Sequence, residues 1–203
     1  LLAWDFVVAS EEHLLGPVLA MRETALADAA AGKLGYRLTS VVDDPNEYLA
    51  RIVEGDFEVP AFLDANNDIA YDAQHHPVRQ PQNAWYPFTM IIPKKARTLD
   101  QSLPLAVFGH GIFGRGREYF TGSAAQYIHP MAEEIGVVMV ATDWIGLSGG
   151  DESLIISTVV QDLNRVSFVT NRLQQSLINN LVMTELALGP ISQDANLKVG
   201  ADP

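Results

Sequence analysis

Cysteine is absent from the 203 residues, which removes disulfide frameworks, thiolate zinc sites and cysteine nucleophiles together. Basic side chains are few: 13 Lys and Arg stand against 25 Asp and Glu, a formal charge of −12. That balance argues against nucleic acid or an anionic membrane as partner, since both require a positive face. No run of apolar residues is long enough for a transmembrane helix. Glycine (15) and proline (11) are too sparse for a collagen-like chain, and no short period recurs. The opening Leu1-Leu2-Ala3-Trp4-Asp5 lacks the cationic stretch of a signal peptide and reads as the middle of a strand in a longer chain. What is present is 48% apolar residues with only 19% charged. This is enough to bury a sizeable core, and it excludes intrinsic disorder.

Two stretches differ in their patterning. Residues 1–100 form a β-rich N-terminal region, with strands expected at 4–8, 36–42, 49–53, 57–63, 69–73 and 85–92. Glu54-Gly55-Asp56 and the Asp64 to Asp68 segment supply turn residues between neighbours. One helix interrupts the strands. Ser10 has N-cap chemistry, Val18, Met21, Ala25, Leu26 and Ala29 share a face, and Gly32 ends the run. Pro17 is best tolerated in a first turn, which puts the helix start near Gly16. Residues 75–83 read as a loop and 93–104 as a polar connector.

From 101 to 203 the period changes to α/β. An apolar strand at 105–108 precedes a Gly-rich loop. A helix follows from Ser123, which has capping-box spacing to Gln126. Pro130 predicts a break near His129, and Gly136 a stop before a second apolar strand at 137–141. Thr158 and Gln161 open a long helix carrying Leu163, Val166, Leu173, Leu177 and Leu181, halted by Gly189-Pro190. Two apolar strands separated by a helix predict parallel pairing, with helices on both faces of the sheet.

The segment Phe108-Gly109-His110-Gly111-Ile112-Phe113-Gly114 carries the chemistry. A loop at the carboxyl end of a strand sits where open α/β sheets bind ligands. Its glycines let the backbone turn and bring amides close to a substrate, where one donor to an oxyanion is worth on the order of 3–4 kcal/mol. A Gly-rich turn with a structural histidine is the other reading of the same residues.

This loop resembles that of the α/β-hydrolase superfamily, in particular bacterial esterase- and lipase-like proteins with a His-Gly oxyanion loop. The resemblance continues through Ala141-Thr142-Asp143-Trp144-Ile145-Gly146-Leu147-Ser148-Gly149 and the helix around Asn171-Arg172-Leu173-Gln174-Gln175, covering about residues 104 to 190. It implies that 101–203 is the first half of an α/β-hydrolase parallel sheet with flanking helices. It also implies that the Ile112 backbone N–H is an oxyanion-hole donor, that His110 buttresses the loop and that Gly111 permits its geometry. The N-terminal region is similar to the leader of large bacterial extracytoplasmic proteins, which implies a secreted or cell-envelope location.

Gly146-Leu147-Ser148-Gly149-Gly150 fits G-x-S-x-G literally. Ser148 nonetheless makes a poor nucleophile elbow, because Gly149-Gly150 is a weak start for the helix the elbow requires. It also follows His110 too soon for the family's order of elements. The true nucleophile, and the acid and histidine after it, are expected beyond Pro203. The chain would then hold the oxyanion half of a site and none of the triad, with the C-terminal remainder of the same domain as its partner.

Other clusters read as structural. Asp64, Asn66 and Asp68 echo the start of a calcium loop, but Ile69 and His75 stand where Gly and Glu are required, so a hairpin turn is expected. His75-His76 lacks a third ligand at helical or hairpin spacing, and no metal is expected. His13 and His129 read as helix-start residues, Trp85 and Tyr86 as core, and Asp143-Trp144 as a pocket rim. Arg115 and Arg117 are either solvated or hold a substrate carboxylate. The leading expectation is thus a carboxylic ester hydrolase acting by serine acyl transfer on a small-molecule or lipid ester, without a cofactor. The alternative is a non-catalytic binding or surface protein that keeps a hydrolase scaffold.

Overall fold

The computed structural model describes residues 8–98 and 102–199. The strand expected at 4–8 lies outside them apart from Val8, which is in no strand. Among the described residues five strands form one sheet: β1 (Tyr36–Asp43), β2 (Leu49–Pro60), β3 (Asn83–Pro93), β4 (Leu105–Val107) and β5 (Val138–Thr142), in the order β1-β2-β3-β5-β4. The pairs β1–β2, β2–β3 and β3–β5 are antiparallel, and only β4–β5 is parallel. The sheet is therefore mixed and mostly antiparallel. The parallel sheet expected after residue 101 amounts to a single pair, and β1 to β3 belong to the same sheet as that pair.

Helices cover both faces. α1 (Glu11–Ala30) and α5 (Ser167–Leu186) close one side, packing Met21, Ile178 and Met183 against Val53, Phe57, Phe88 and Met90. α2 (Gly116–Thr121) and α3 (Ala125–Ile135) close the other, where Phe120 and Ala132 meet Leu49, Ile91, Met139 and Ala141. Along β5, Val140 serves the first core while Met139 and Ala141 serve the second. This is the period-2 alternation of a strand buried on both faces.

Several expectations are corrected. The turn expected at Glu54-Gly55-Asp56 does not exist: β2 runs straight through it, pairing Glu54 with Ser40 and Gly55 with Leu38. Gly55 is there for room, since a Cβ would lie 2.5 Å from the Arg37 carbonyl and 2.6 Å from the Phe88 ring. The strand at 69–73 shrinks to isolated bridges, Leu63 with Ile69 and Tyr71 with Pro77. Ser10 does cap α1, its Oγ accepting from His13 N–H, so the helix starts at Glu11 and Pro17 lies inside it. Pro130 likewise lies within an unbroken α3, which starts at Ala125 with no side-chain cap from Ser123. Each proline forfeits one backbone bond, which packing of the buried helix face offsets.

The long helix differs most from expectation. After α4 (Glu152–Ile155) the chain makes a π turn (Ile156–Val160) and a 3₁₀ turn (Leu163–Arg165), where Asp162 Oδ1 accepts from Asn164 N–H. Only then does α5 begin, so Thr158 caps nothing. Leu163, Val166 and Leu177 of the expected stripe are exposed, Leu163 by 77%. The buried face of α5 instead mixes Ile178, Val182 and Met183 with Gln175, Ser176, Asn179 and Asn180. Gln175 accounts for part of this polarity: it accepts from Phe62 N–H and donates to the Pro60 carbonyl, tying the helix to the end of β2.

Candidate functional site

The parallel pair ends at Val107 and Val140, and Phe108 N–H reaches one step further to the Val140 carbonyl at 2.8 Å. The loops leaving β4 and β5 therefore emerge side by side at the carboxyl edge, where such sheets receive ligands. His110, Gly111 and Ile112 lie on the first loop, and Asp143 to Ser148 on the second.

His110 joins the two. Its Nε2 accepts from Trp144 N–H at 2.8 Å, so the ring proton sits on Nδ1, which donates to the Gly111 carbonyl at 2.7 Å. With both ring nitrogens engaged, the side chain braces the loops and has no free position for proton transfer. Gly111 N–H donates to the Tyr119 hydroxyl, and Phe113 N–H to the Leu147 carbonyl at 2.8 Å. Gly149 N–H returns to the Gly114 carbonyl at 2.9 Å. Between these fixed points the Ile112 N–H donates to no acceptor among the described residues, and the residue is 73% exposed. The strained position of the loop is not a glycine. Phe113 adopts φ 58°, a left-handed conformation costly for an aromatic residue and found where surrounding bonds over-determine the backbone.

Ser148 is placed otherwise than a nucleophile would be. It is buried, and its Oγ donates to Asp151 Oδ2 at 2.5 Å. No helix starts at Ser148, and among the described residues no imidazole bonds to it. Asp151, fully buried, also accepts from Gly146 N–H and Ser148 N–H at 2.8 Å each and pairs with Arg172 of α5. The local G-x-S-x-G is thus a turn folded around a carboxylate. Gly146 adopts φ 101°, and a Cβ there would press on Leu173 and the Val169 carbonyl at 3.0 Å.

The remaining expected residues fall into place as follows. Asp64 Oδ1 accepts from Asn66 N–H and Asp68 N–H, making a hairpin turn. Asp72 does the same for Gln74 and His76, and His75 lies edge-on to Tyr71. His129 is no helix-start residue. It sits buried within α3, taking a bond from Asn46 Nδ2 and giving one to the Phe120 carbonyl, both at 2.8 Å. Trp85 is half exposed under the Arg37 guanidinium rather than core, whereas Tyr86 packs against the main core. Asp143 accepts from Gly116 N–H and lines a cleft of about 230 Å³ with Arg115, Arg117 and Glu54. Arg117 is paired with Glu54, and Arg115 lies against Gly149. Among the described residues no three His, Asp or Glu side chains converge as metal ligands, and no helix is long and apolar enough to cross a membrane.

Sequence reasoning missed Tyr119, Asp151 and Arg172 as site residues. Only the G-x-S-x-G stretch hinted at Asp151, and nothing local ties it to an arginine 21 residues on. No family model, curated protein or solved structure matches the chain.

Proposed function

We propose that this chain supplies the oxyanion-binding half of a carboxylic ester hydrolase of the α/β-hydrolase type, acting by serine acyl transfer on a small-molecule or lipid ester. The observation that carries the reading is the Ile112 N–H, left without an acceptor on a loop that is braced on both sides. In the tetrahedral step, negative charge gathers on the former carbonyl oxygen. A fixed amide pointing there stabilises it by about 3–4 kcal/mol, without reorganising at the moment of reaction. Ile112 is the donor, His110 and Gly111 hold the loop, and no cofactor is required. The nucleophile, acid and histidine come from the C-terminal remainder of the same domain, whose next strand would cover the open edge of β4. An extracytoplasmic location accompanies this reading, and a signal sequence in the parent gene tests it.

The deciding experiment is ester hydrolysis by the full-length protein. Serine-dependent turnover that falls about a hundredfold when Ile112 is replaced by proline, which removes the N–H, supports the reading. Turnover that is absent, or indifferent to serine reagents, rejects it. Ser148 should remain unlabelled by a fluorophosphonate in the folded chain, because its hydroxyl is buried against Asp151.

A second reading is a non-catalytic binding or surface protein built on this scaffold. It is favoured by the engagement of both His110 nitrogens and of the Ser148 hydroxyl, so that the two loops present no free imidazole and no free serine among the described residues. Sequence downstream separates the two: a strand followed by G-x-S-x-G and a helix supports the enzyme, and a replaced serine supports the scaffold.

A further inference from the structure

We infer that the buried Asp151–Arg172 pair is the positioning device of the His110–Ile112 loop, holding in place the donor that the proposed function requires. This rests on that reading for its purpose, though not for its geometry. Asp151 is fully buried, and both its oxygens are saturated. Oδ2 accepts from Gly146 N–H, Ser148 N–H and Ser148 Oγ, while Oδ1 accepts from Arg172 Nε and Nη2. Arg172 is itself anchored from the far side: Nη1 donates to Asn67 Oδ1 at 2.6 Å, and its guanidinium lies over the Phe168 ring. The turn at 146–148 is therefore clamped to α5 and to the hairpin at 64–68.

From this clamp two bonds lead to the candidate site. Leu147, between the two amides that Asp151 holds, presents its carbonyl to Phe113 N–H. Trp144, at the head of the same turn, presents its N–H to His110. Phe113 and His110 flank the free Ile112 amide, so the carboxylate fixes the loop through the turn without touching it. Stability alone is a poor account of the pair. Taking two charges out of water costs about as much as their attraction returns, and an apolar pair of the same volume would do as well. The ion pair adds direction: a planar guanidinium fork and five acceptor bonds admit one orientation of the turn.

The test uses amide hydrogen exchange followed by NMR on the full-length protein carrying Arg172→Lys, and separately on the double variant Asp151→Leu with Arg172→Met. Lysine keeps the charge but loses the fork, and the apolar pair keeps the volume but loses all five bonds. The informative amides are Phe113 and Trp144, which do not touch Asp151, with those of the β2–β3 ladder as reference. In both variants the two loop amides should exchange about tenfold faster than in the parent while the ladder amides keep their rates. Loop amides that keep their parent protection in Arg172→Lys overturn the inference, and so do loop amides that change only in step with the ladder. That criterion stands even where the double variant fails to fold. Selective loosening in a protein that hydrolyses no ester would keep the positioning role and reject the proposed function. An active hydrolase whose loop ignores both substitutions would do the reverse.

Discussion

Between Tyr36 and Pro93 the sheet is an antiparallel ladder, its strands joined residue to residue and its apolar side chains alternating into the core under α1 and α5. Beyond Leu105 the ladder is only three residues long on β4. There the loops at the carboxyl edge are held by a few directed bonds: His110 to Trp144, Phe113 to Leu147, Asp151 to the 146–148 turn and Arg172 of α5 to Asn67. The first stretch spreads its stabilisation over many equivalent contacts. The second concentrates it in a few directed ones, which cost more when lost and fix the backbone more tightly where a donor must point.

That contrast can be broken most sharply at glycines. Gly146→Ala should cost about 4 kcal/mol, combining a left-handed conformation alanine resists with contacts at 3.0 Å on α5. Gly55→Ala, which meets backbone and ring at 2.5 and 2.6 Å in the ladder, should cost about 3 kcal/mol. Urea unfolding measures both, and amide exchange should report loss confined to the loops in the first and spread across β1 to β3 in the second. His129→Ala probes the seam between the stretches. It strands Asn46 Nδ2 and the Phe120 carbonyl in a buried place, and about 2 kcal/mol should be lost by thermal or urea unfolding.

A smaller effect sharpens the ladder side. The Tyr36 hydroxyl is pushed up to about 12, first by desolvation and then by its bond to Asp194 and that carboxylate's charge. Its neutral form is the one the fold favours. The contribution is therefore complete below about pH 10, where unfolded tyrosine ionises, and is lost as pH climbs from there through about 12. Asp194 is held below the usual carboxylate range, chiefly by Asn196 N–H and then by Tyr36. It contributes above the unfolded carboxylate value and loses that contribution as pH falls through its lowered one. Tyr36→Phe should flatten the alkaline limb of stability against pH and leave His110 and Trp144 resonances unmoved. Smallest is Ser10→Ala, which removes the cap on His13 N–H for about 1 kcal/mol, visible as helix fraying in exchange at 11–14.

How much of this was legible beforehand varies by element. The strands at 36–43 and 83–93 and the parallel pair 105–107 with 138–142 could be read, because each is rich in β-branched, aromatic or other apolar residues and is bounded by turn residues. Gly136 as a stop and Ser10 as a cap could be read too, since both act on their own turn. Gly55 was misread because close approach and turning call for the same residue, and only the partner strand tells them apart. The helix at 158 was misread because Leu163 and Val166 fit a helical period on a face that remains exposed. His110 stood out through its flanking glycines. Asp151 and Arg172 could not, because a saturated buried carboxylate and a solvated one look alike in a sequence.

Local chemistry, then, determined by itself the mixture of strands and helices, the cap at Ser10 and the stop at Gly136, and the loop on which His110, Gly111 and Ile112 sit. The tertiary structure alone decided that β1 to β5 share one mostly antiparallel sheet. It alone turned Ser148 inward to a carboxylate and left the Ile112 amide without an acceptor among the described residues. The physical reason is range. Capping, turning and alternation act within a few residues, whereas the bonds that tie this site together join positions 21, 34 and 105 residues apart, and such pairings exist only once the chain has folded.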